Sequence, residues 1–132
     1  MRTNIRVGAI IIKDKKILLI HRIKKGDEYW VVIGGGVEEG ESLKDALKRE
    51  VLEETCLPLL DYRLLGNAKD DKGSDHYFYF CKVCEGEPCL SGPEKEENCE
   101  DNWHNLEWVE IGKIGELKSL YPSQVNEFLK LI

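Results

Sequence analysis

The chain has 132 residues, enough for one domain and too few for a multidomain assembly. Apolar residues make up 42% and charged residues 33%, so the chain can bury a core and is not a disordered tail. Its net charge of −6 excludes a general nucleic-acid binder, because neutralising phosphates needs a net basic face.

Residues 5–12 (Ile-Arg-Val-Gly-Ala-Ile-Ile-Ile) are rich in β-branched side chains and predict a strand. Lys13-Asp14-Lys15-Lys16 predicts a turn and Ile17–His21 a second strand, together a hairpin. Tyr29–Ile33 predicts a short third strand, ended by Gly34-Gly35-Gly36. Residues 43–55 predict the main helix: Ser42 with Asp45 three positions on is a capping signal, and Pro58 stops propagation. Tyr62–Lys69 and His76–Cys84 predict strands on either side of the turn Asp70-Asp71-Lys72-Gly73. Residues 85–102 predict a long acidic loop, Leu106–Ile111 a last strand and Ser123–Ile132 a short terminal helix. Strands outnumber helices, so the expectation is an α/β (α+β) fold, a mixed sheet covered by helices, in one domain over residues 1–132.

The apolar run Val7–Ile12 is too short for a signal core or a membrane span, which points to a cytoplasmic protein with no membrane partner. Five cysteines without a targeting signal predict reduced thiols rather than a disulfide framework. Cys81-x2-Cys84-x4-Cys89 and Cys99 invite a zinc reading, but an offset of three on a strand puts side chains on opposite faces. His21, His76 and His104 have no ligand spacing among themselves. No phosphate-binding P-loop motif and no dinucleotide fingerprint is present.

Charge is unevenly placed. Residues 1–25 hold eight Lys/Arg and one acid, residues 36–54 seven acids and three bases, and residues 85–110 nine acids and one base. The middle zone is the helix. At about 100° per residue with Leu43 as zero, Leu47 lies near 40°, Val51 near 80° and Ala46 near 300°. Glu54 falls near 20°, Glu50 near 340° and Glu53 near 280°, so three glutamates share the azimuth of the apolar stripe while Leu52 lies opposite. Unpartnered carboxylates on an inward face cost several kcal/mol and repel one another. Lys48 and Arg49 offset part of that cost. A divalent cation with a preference for oxygen ligands offsets it more completely.

With the preceding loop, these residues form Gly35-x5-Glu41-x7-Arg49-Glu50-Val51-x-Glu53-Glu54-x-Cys56-Leu57. This closely resembles the signature box of the Nudix (MutT-type) hydrolases, over residues 35–57. The N-terminal hairpin, Tyr29-Trp30 and Trp108 resemble the family's flanks. Two positions depart from the pattern: Cys56 stands where the family has a helix-ending glycine, and Ile33 where it often has proline.

The resemblance implies a Nudix-type α/β/α sandwich with a mixed sheet. It implies hydrolysis of a nucleoside diphosphate linked to a group X, giving a nucleoside monophosphate plus X-phosphate or pyrophosphate. By position it makes Glu50, Glu53 and Glu54, with the Gly34 carbonyl, ligands of Mg²⁺ or Mn²⁺. It makes Arg49 the residue that orients the glutamates and Glu41 its structural brace. Glu53 is the first choice of base and a loop carboxylate the second, with Glu94, then Glu97, completing the site; a solvated acidic loop is the plain alternative. Arg22 stands where related enzymes place a phosphate-binding arginine, and Trp30 is a candidate for the nucleoside pocket; a surface arginine and a core tryptophan are their plain alternatives. Tyr121-Pro122 borders the base pocket or packs a helix start. Elimination of other signatures leans towards a nucleoside triphosphate or modified nucleotide. ADP-ribose or dinucleoside-polyphosphate hydrolysis, and a non-catalytic nucleotide sensor, are the alternatives. A homodimer is a common family state.

Overall fold

The computed structural model describes residues 2–84, 86, 88, 102–117 and 119–130. Its strands are β1 (Arg2–Lys13), β2 (Lys16–Lys24), β3 (Asp27–Glu38), β4 (Leu59–Lys69), β5 (Asp75–Val83), β6 (Asn102–Glu110) and β7 (Leu120–Tyr121). The helices are α1 (Leu43–Thr55) and the short α2 (Val125–Leu129), with a 3₁₀ turn over Ile111–Glu116. Strand order is β4-β5-β1-β2-β3-β7, with β6 on the far side of β2. Pairing is mixed: β1–β5 and β3–β7 run parallel, the rest antiparallel.

Three strands meet at the centre. β1 pairs with β2 at the hairpin turn (Ile12↔Ile17, Lys13↔Lys16). Beyond it the two separate, and β3 pairs with β2 through its first half (Tyr29↔Arg22, Val32↔Leu19) and with β1 through its second (Gly34↔Gly8, Gly36↔Arg6). The triple glycine therefore does not end the third strand, as the sequence predicts; β3 runs through it. Gly34 has φ 148°, and a Cβ there would stand 2.0 Å from the Val7 carbonyl oxygen, so the close approach to β1 requires glycine.

Alternation along the strands makes two cores. Val7, Ala9, Ile11, Leu18, Ile20 and Ile33 pack with Ala46, Leu47 and Val51 of α1. Ile10, Ile17, Leu19, Val32 and Phe78 pack on the other face with Ile114 and with Val125 and Phe128 of α2. Helix, mixed sheet and helical segment thus form the three layers of the sandwich. The helix α1 begins and ends where the sequence predicts: the Asp45 N–H donates to Ser42 Oγ at 3.1 Å. Cys56 caps its C-terminus at φ 65°, the left-handed conformation that glycine tolerates best. The terminal helix starts at Val125, two residues later than predicted, after β7 has joined the edge of β3.

Cys56 is disulfide-bonded, which corrects the expectation of reduced thiols throughout, whereas Cys81 and Cys84 are free. Cys81 is buried in the α1-side core, and burial pushes its thiol up to about 12, which suits an inert core side chain. Among the described residues no helix is long and apolar enough to cross a membrane.

Candidate active site

The glutamates of α1 differ in environment. Glu54 is buried (4% exposed) and accepts the Gly34 N–H at 3.3 Å. Glu50 is nearly as enclosed, with its side chain 12% exposed, and Glu53 is 48% exposed. The azimuths explain this order, since Glu54 lies at the centre of the buried stripe and Glu53 at its margin. Gly35 faces Glu50: a Cβ there would stand 2.6 Å from both carboxylate oxygens. The glycine run thus admits the helix carboxylates against the β3 backbone.

Arg49 ties this surface together. Its Nε and Nη2 donate to the two Glu41 oxygens, both at 2.8 Å, Nη2 also donates to the Gly36 carbonyl at 3.0 Å, and Nη1 donates to Glu50 at 2.7 Å. Glu41 also accepts the Glu38 N–H at 3.0 Å. The Arg49 hydrogen bonds hold the Glu41 carboxyl down at about 2, and Glu41 raises Arg49 further above its ordinary range. The pairing clips the loop after β3 to the side of α1.

Three oxygen-donor side chains on one helix, beside a backbone that only glycine allows so close, suit a hard divalent cation. Among the described residues, no three carboxylate, imidazole or thiolate groups converge at metal-ligand distance. Glu50 is turned to Arg49 and Glu54 to the Gly34 N–H, so a convergent set requires rotation about their side-chain torsions. Glu94 and Glu97 lie outside the described residues.

A cavity of about 680 Å³ adjoins this edge, a size suited to a small molecule. Arg6 and Val7 of β1, Arg22 of β2, and Tyr29, Val31 and Gly34 of β3 form one part of its wall. Asp27, Glu28 and Val32 of β3, Asp70, Asp71, Lys72, Ser74 and His76 from the β4–β5 region, and Ser119, Tyr121 and Pro122 form the rest. Arg22 Nε is buried without a hydrogen-bond partner, and its guanidinium lies 5.7 Å from the centre of the Tyr29 ring. Tyr29 meets Tyr121 edge to face at 6.0 Å.

Trp30 is not among the lining residues. It stacks on His21 at 4.0 Å on the opposite face of β3, and His21 lies between Glu28 and Glu107 at 2.6 and 2.5 Å. Its neighbour Tyr29 lines the cavity instead. Strand alternation puts the two rings on opposite faces. The sequence assigns no binding role to Arg6, Tyr29 or His76, because they come together only through the β1–β5 and β2–β3 registers.

The turn at Asp70 is internally bonded. Asp70 Oδ1 accepts the Lys72 and Ser74 N–H groups at 2.9 and 3.0 Å, and Oδ2 lies 3.4 Å from His76 Nδ1. Burial acts to raise the Asp70 carboxyl, and these donors outweigh it and hold it low. His76 is 5% exposed; burial drives its imidazole down to about 4, against the opposing effect of Asp70. Asp71 accepts Ser123 Oγ at 2.7 Å and Gln124 Nε2 at 3.1 Å, which ties the turn to the chain entering α2.

The NUDIX domain family model matches residues 2–128. The 8-oxo-dGTP diphosphatase of Buchnera aphidicola is 40% identical over 78 residues, covering 58% of this chain and 55% of that protein. The uncharacterized Nudix hydrolase YvcI of Bacillus subtilis is 37% identical over 59 residues, covering 45% of this chain and 36% of that protein. The chain thus spans between about a third and about half of the length of these relatives. Among solved structures, a MutT Nudix hydrolase from Burkholderia pseudomallei superposes with a TM-score of 0.71 at 24% identity, covering 97% of this chain and 96% of the other. An ADP-ribose pyrophosphatase from Streptococcus suis gives 0.68 at 21% identity, covering 96% and 92%. At that identity the two structures establish the fold. With the family model spanning nearly its whole length, the chain belongs to the Nudix hydrolases, a family of pyrophosphohydrolases that generally use divalent metals.

Proposed function

We propose that this protein hydrolyses a phosphoric anhydride bond in a small nucleotide, a nucleoside triphosphate or its modified form, releasing a nucleoside monophosphate and pyrophosphate. The observation that carries the reading is the position of Gly34, which lines the cavity and donates its N–H to Glu54. One residue therefore joins the carboxylate face of α1 to a cleft of nucleotide size. The relative named as an 8-oxo-dGTP diphosphatase supports a triphosphate substrate.

Glu50, Glu53, Glu54 and the Gly34 carbonyl would hold Mg²⁺ or Mn²⁺, which would screen the diphosphate charge and lower the pKa of a water. Glu53, the most exposed of the three, takes the water proton. Arg49 fixes the Glu50 carboxylate through Nη1 while Glu41 holds the other edge of the guanidinium. Arg22, with an unpartnered Nε at the cavity wall, meets a phosphate oxygen.

The test is product analysis with Mg²⁺ over a panel of nucleoside triphosphates, oxidised triphosphates, ADP-ribose and dinucleoside polyphosphates. Monophosphate and pyrophosphate from a triphosphate are expected. Preferred cleavage of ADP-ribose or a dinucleotide would move the substrate class. Tight binding of one compound without turnover would make the protein a sensor.

A further inference from the structure

The two cavity arginines project to opposite sides. On β2, Leu18 and Ile20 pack in the α1-side core, so Arg22, two residues on, faces the carboxylate helix. On β1, Val7 and Ala9 belong to that core whereas Ile10 belongs to the other, so Arg6 faces away from α1. Arg6 pairs in register with His76, whose ring stacks on Phe78 at 4.4 Å in the second core. Arg22 thus serves the phosphate end of the cleft, and Arg6 stands at the end left for the nucleoside.

Nothing among the described residues neutralises Arg6. Of the cavity's four acids, Asp70 is engaged by Lys72, Ser74 and His76, Asp71 by Ser123 and Gln124, and Glu28 by His21, while Asp27 stands at the opposite end of β3 from the Gly36–Arg6 pairing. His76 is 95% buried and its Nε2 has no hydrogen-bond partner. Arg6 is half-buried with its guanidinium unpaired, and the buried imidazole nitrogen beside it lacks a hydrogen bond. Both observations point to a ligand that brings its own polar edge.

We infer that Arg6 reads the nucleobase and selects a guanine-type edge over adenine. The inference rests on the nucleotide-hydrolase reading of the site. A guanidinium offers paired N–H donors in one plane, which fit the O6 and N7 acceptors of guanine together. Adenine presents an amino group in place of O6, so one N–H would face another.

The experiment compares GTP with ATP as substrates, and GMP with AMP by titration calorimetry in Mg²⁺, for wild type, Arg6→Met and Arg6→Lys. Thermal unfolding checks that each variant is folded. Wild type should prefer the guanine compounds. Both variants should cut that preference about tenfold, through KM rather than kcat, because lysine keeps the charge and loses the fork. The inference is overturned if wild type shows no base preference. Equal losses for GTP and ATP, or an undiminished preference in Arg6→Lys, overturn it too. Turnover without base preference would sink the Arg6 assignment and leave the hydrolase reading standing. Arg6-dependent GMP binding with no turnover of any nucleotide would do the reverse.

Discussion

Arg49 and Arg22 both belong to the proposed site, and their surroundings are opposite. Arg49 uses Nε and both terminal nitrogens on Glu41, Glu50 and the Gly36 carbonyl. Arg22 has the Tyr29 ring beneath it and a buried Nε without a partner. A guanidinium whose donors are all answered by its own chain is a brace, and its removal should be felt in stability. One whose donors are unanswered is held ready for an outside anion, and its removal should be felt in substrate binding. The braced zone lies within one stretch of sequence; the open one is assembled from strands far apart in the chain.

The largest effect should come from the carboxylates that the brace supports. Glu53→Gln and Glu54→Gln are expected to lower kcat by about a thousandfold while the protein remains folded, since each removes an anionic oxygen from the reacting edge. Steady-state turnover in Mg²⁺ measures it, and wild-type rates in both variants would remove α1 from the mechanism. Next is Arg49→Ala, expected to destabilise by about 2 kcal/mol in denaturant unfolding, less than a fully buried pair because the side chain keeps some solvent contact. Arg49→Lys should recover only part of this, since an ammonium cannot span Glu41 and Glu50 together. Stability unchanged in Arg49→Ala would break the contrast with Arg22.

Acid should sharpen the same contrast. The Glu41 carboxyl lies at about 2 in the folded protein against an ordinary 4.5, so its contribution is complete above pH 4.5 and is lost as pH falls towards 2. His76 acts at milder pH: its imidazole is held at about 4 against an ordinary 6.5, so its unfolded form takes up a proton first and stability declines from pH 6.5 towards 4. Melting temperatures across pH 7 to 3 should show both declines. Glu41→Gln should make only the lower one shallower, since Asp70 and Asp71 are also held low, and an unchanged lower decline in that variant would refute the assignment. Arg22→Met is smaller in energy: KM should rise about tenfold with the melting temperature unchanged or higher, because the variant deletes a phosphate contact and an unsatisfied buried donor together.

The braced zone was legible because α1 repeats every 3.6 residues, and the spacing of Glu50, Glu53 and Glu54 against Leu47 and Val51 can be read from a short stretch of chain. The Ser42 cap and the end at Thr55 follow from equally local signals. The cavity was not legible in this way. Arg6, Arg22, Tyr29 and His76 meet through pairings between strands up to 70 positions apart, and no local pattern fixes those registers. The passage of β3 through three glycines was misread for a related reason. Glycine reads as a break until the partner strand that demands close approach is known.

The smallest expected effect lies at the far end of α1, where the chain departs from its family pattern. Cys56 adopts φ 65°, and its N–H still closes the helix on the Leu52 carbonyl at 2.9 Å. A side chain with a Cβ pays roughly 1–2 kcal/mol to hold this conformation, and glycine does not. In oxidising buffer the comparison is confounded, since Cys56 is disulfide-bonded and its replacement also removes that bond. With excess reductant the bond is absent from both proteins, and Cys56→Gly should be more stable by about 1 kcal/mol in urea unfolding, the lower end because glycine gives back entropy in the unfolded chain. Turnover should change little, because glycine keeps the N–H bond to the Leu52 carbonyl that closes the last turn, where Glu53 and Glu54 lie. A loss of stability in reductant would mean that the thiol itself contributes contacts at this cap, and that the cysteine is there for packing.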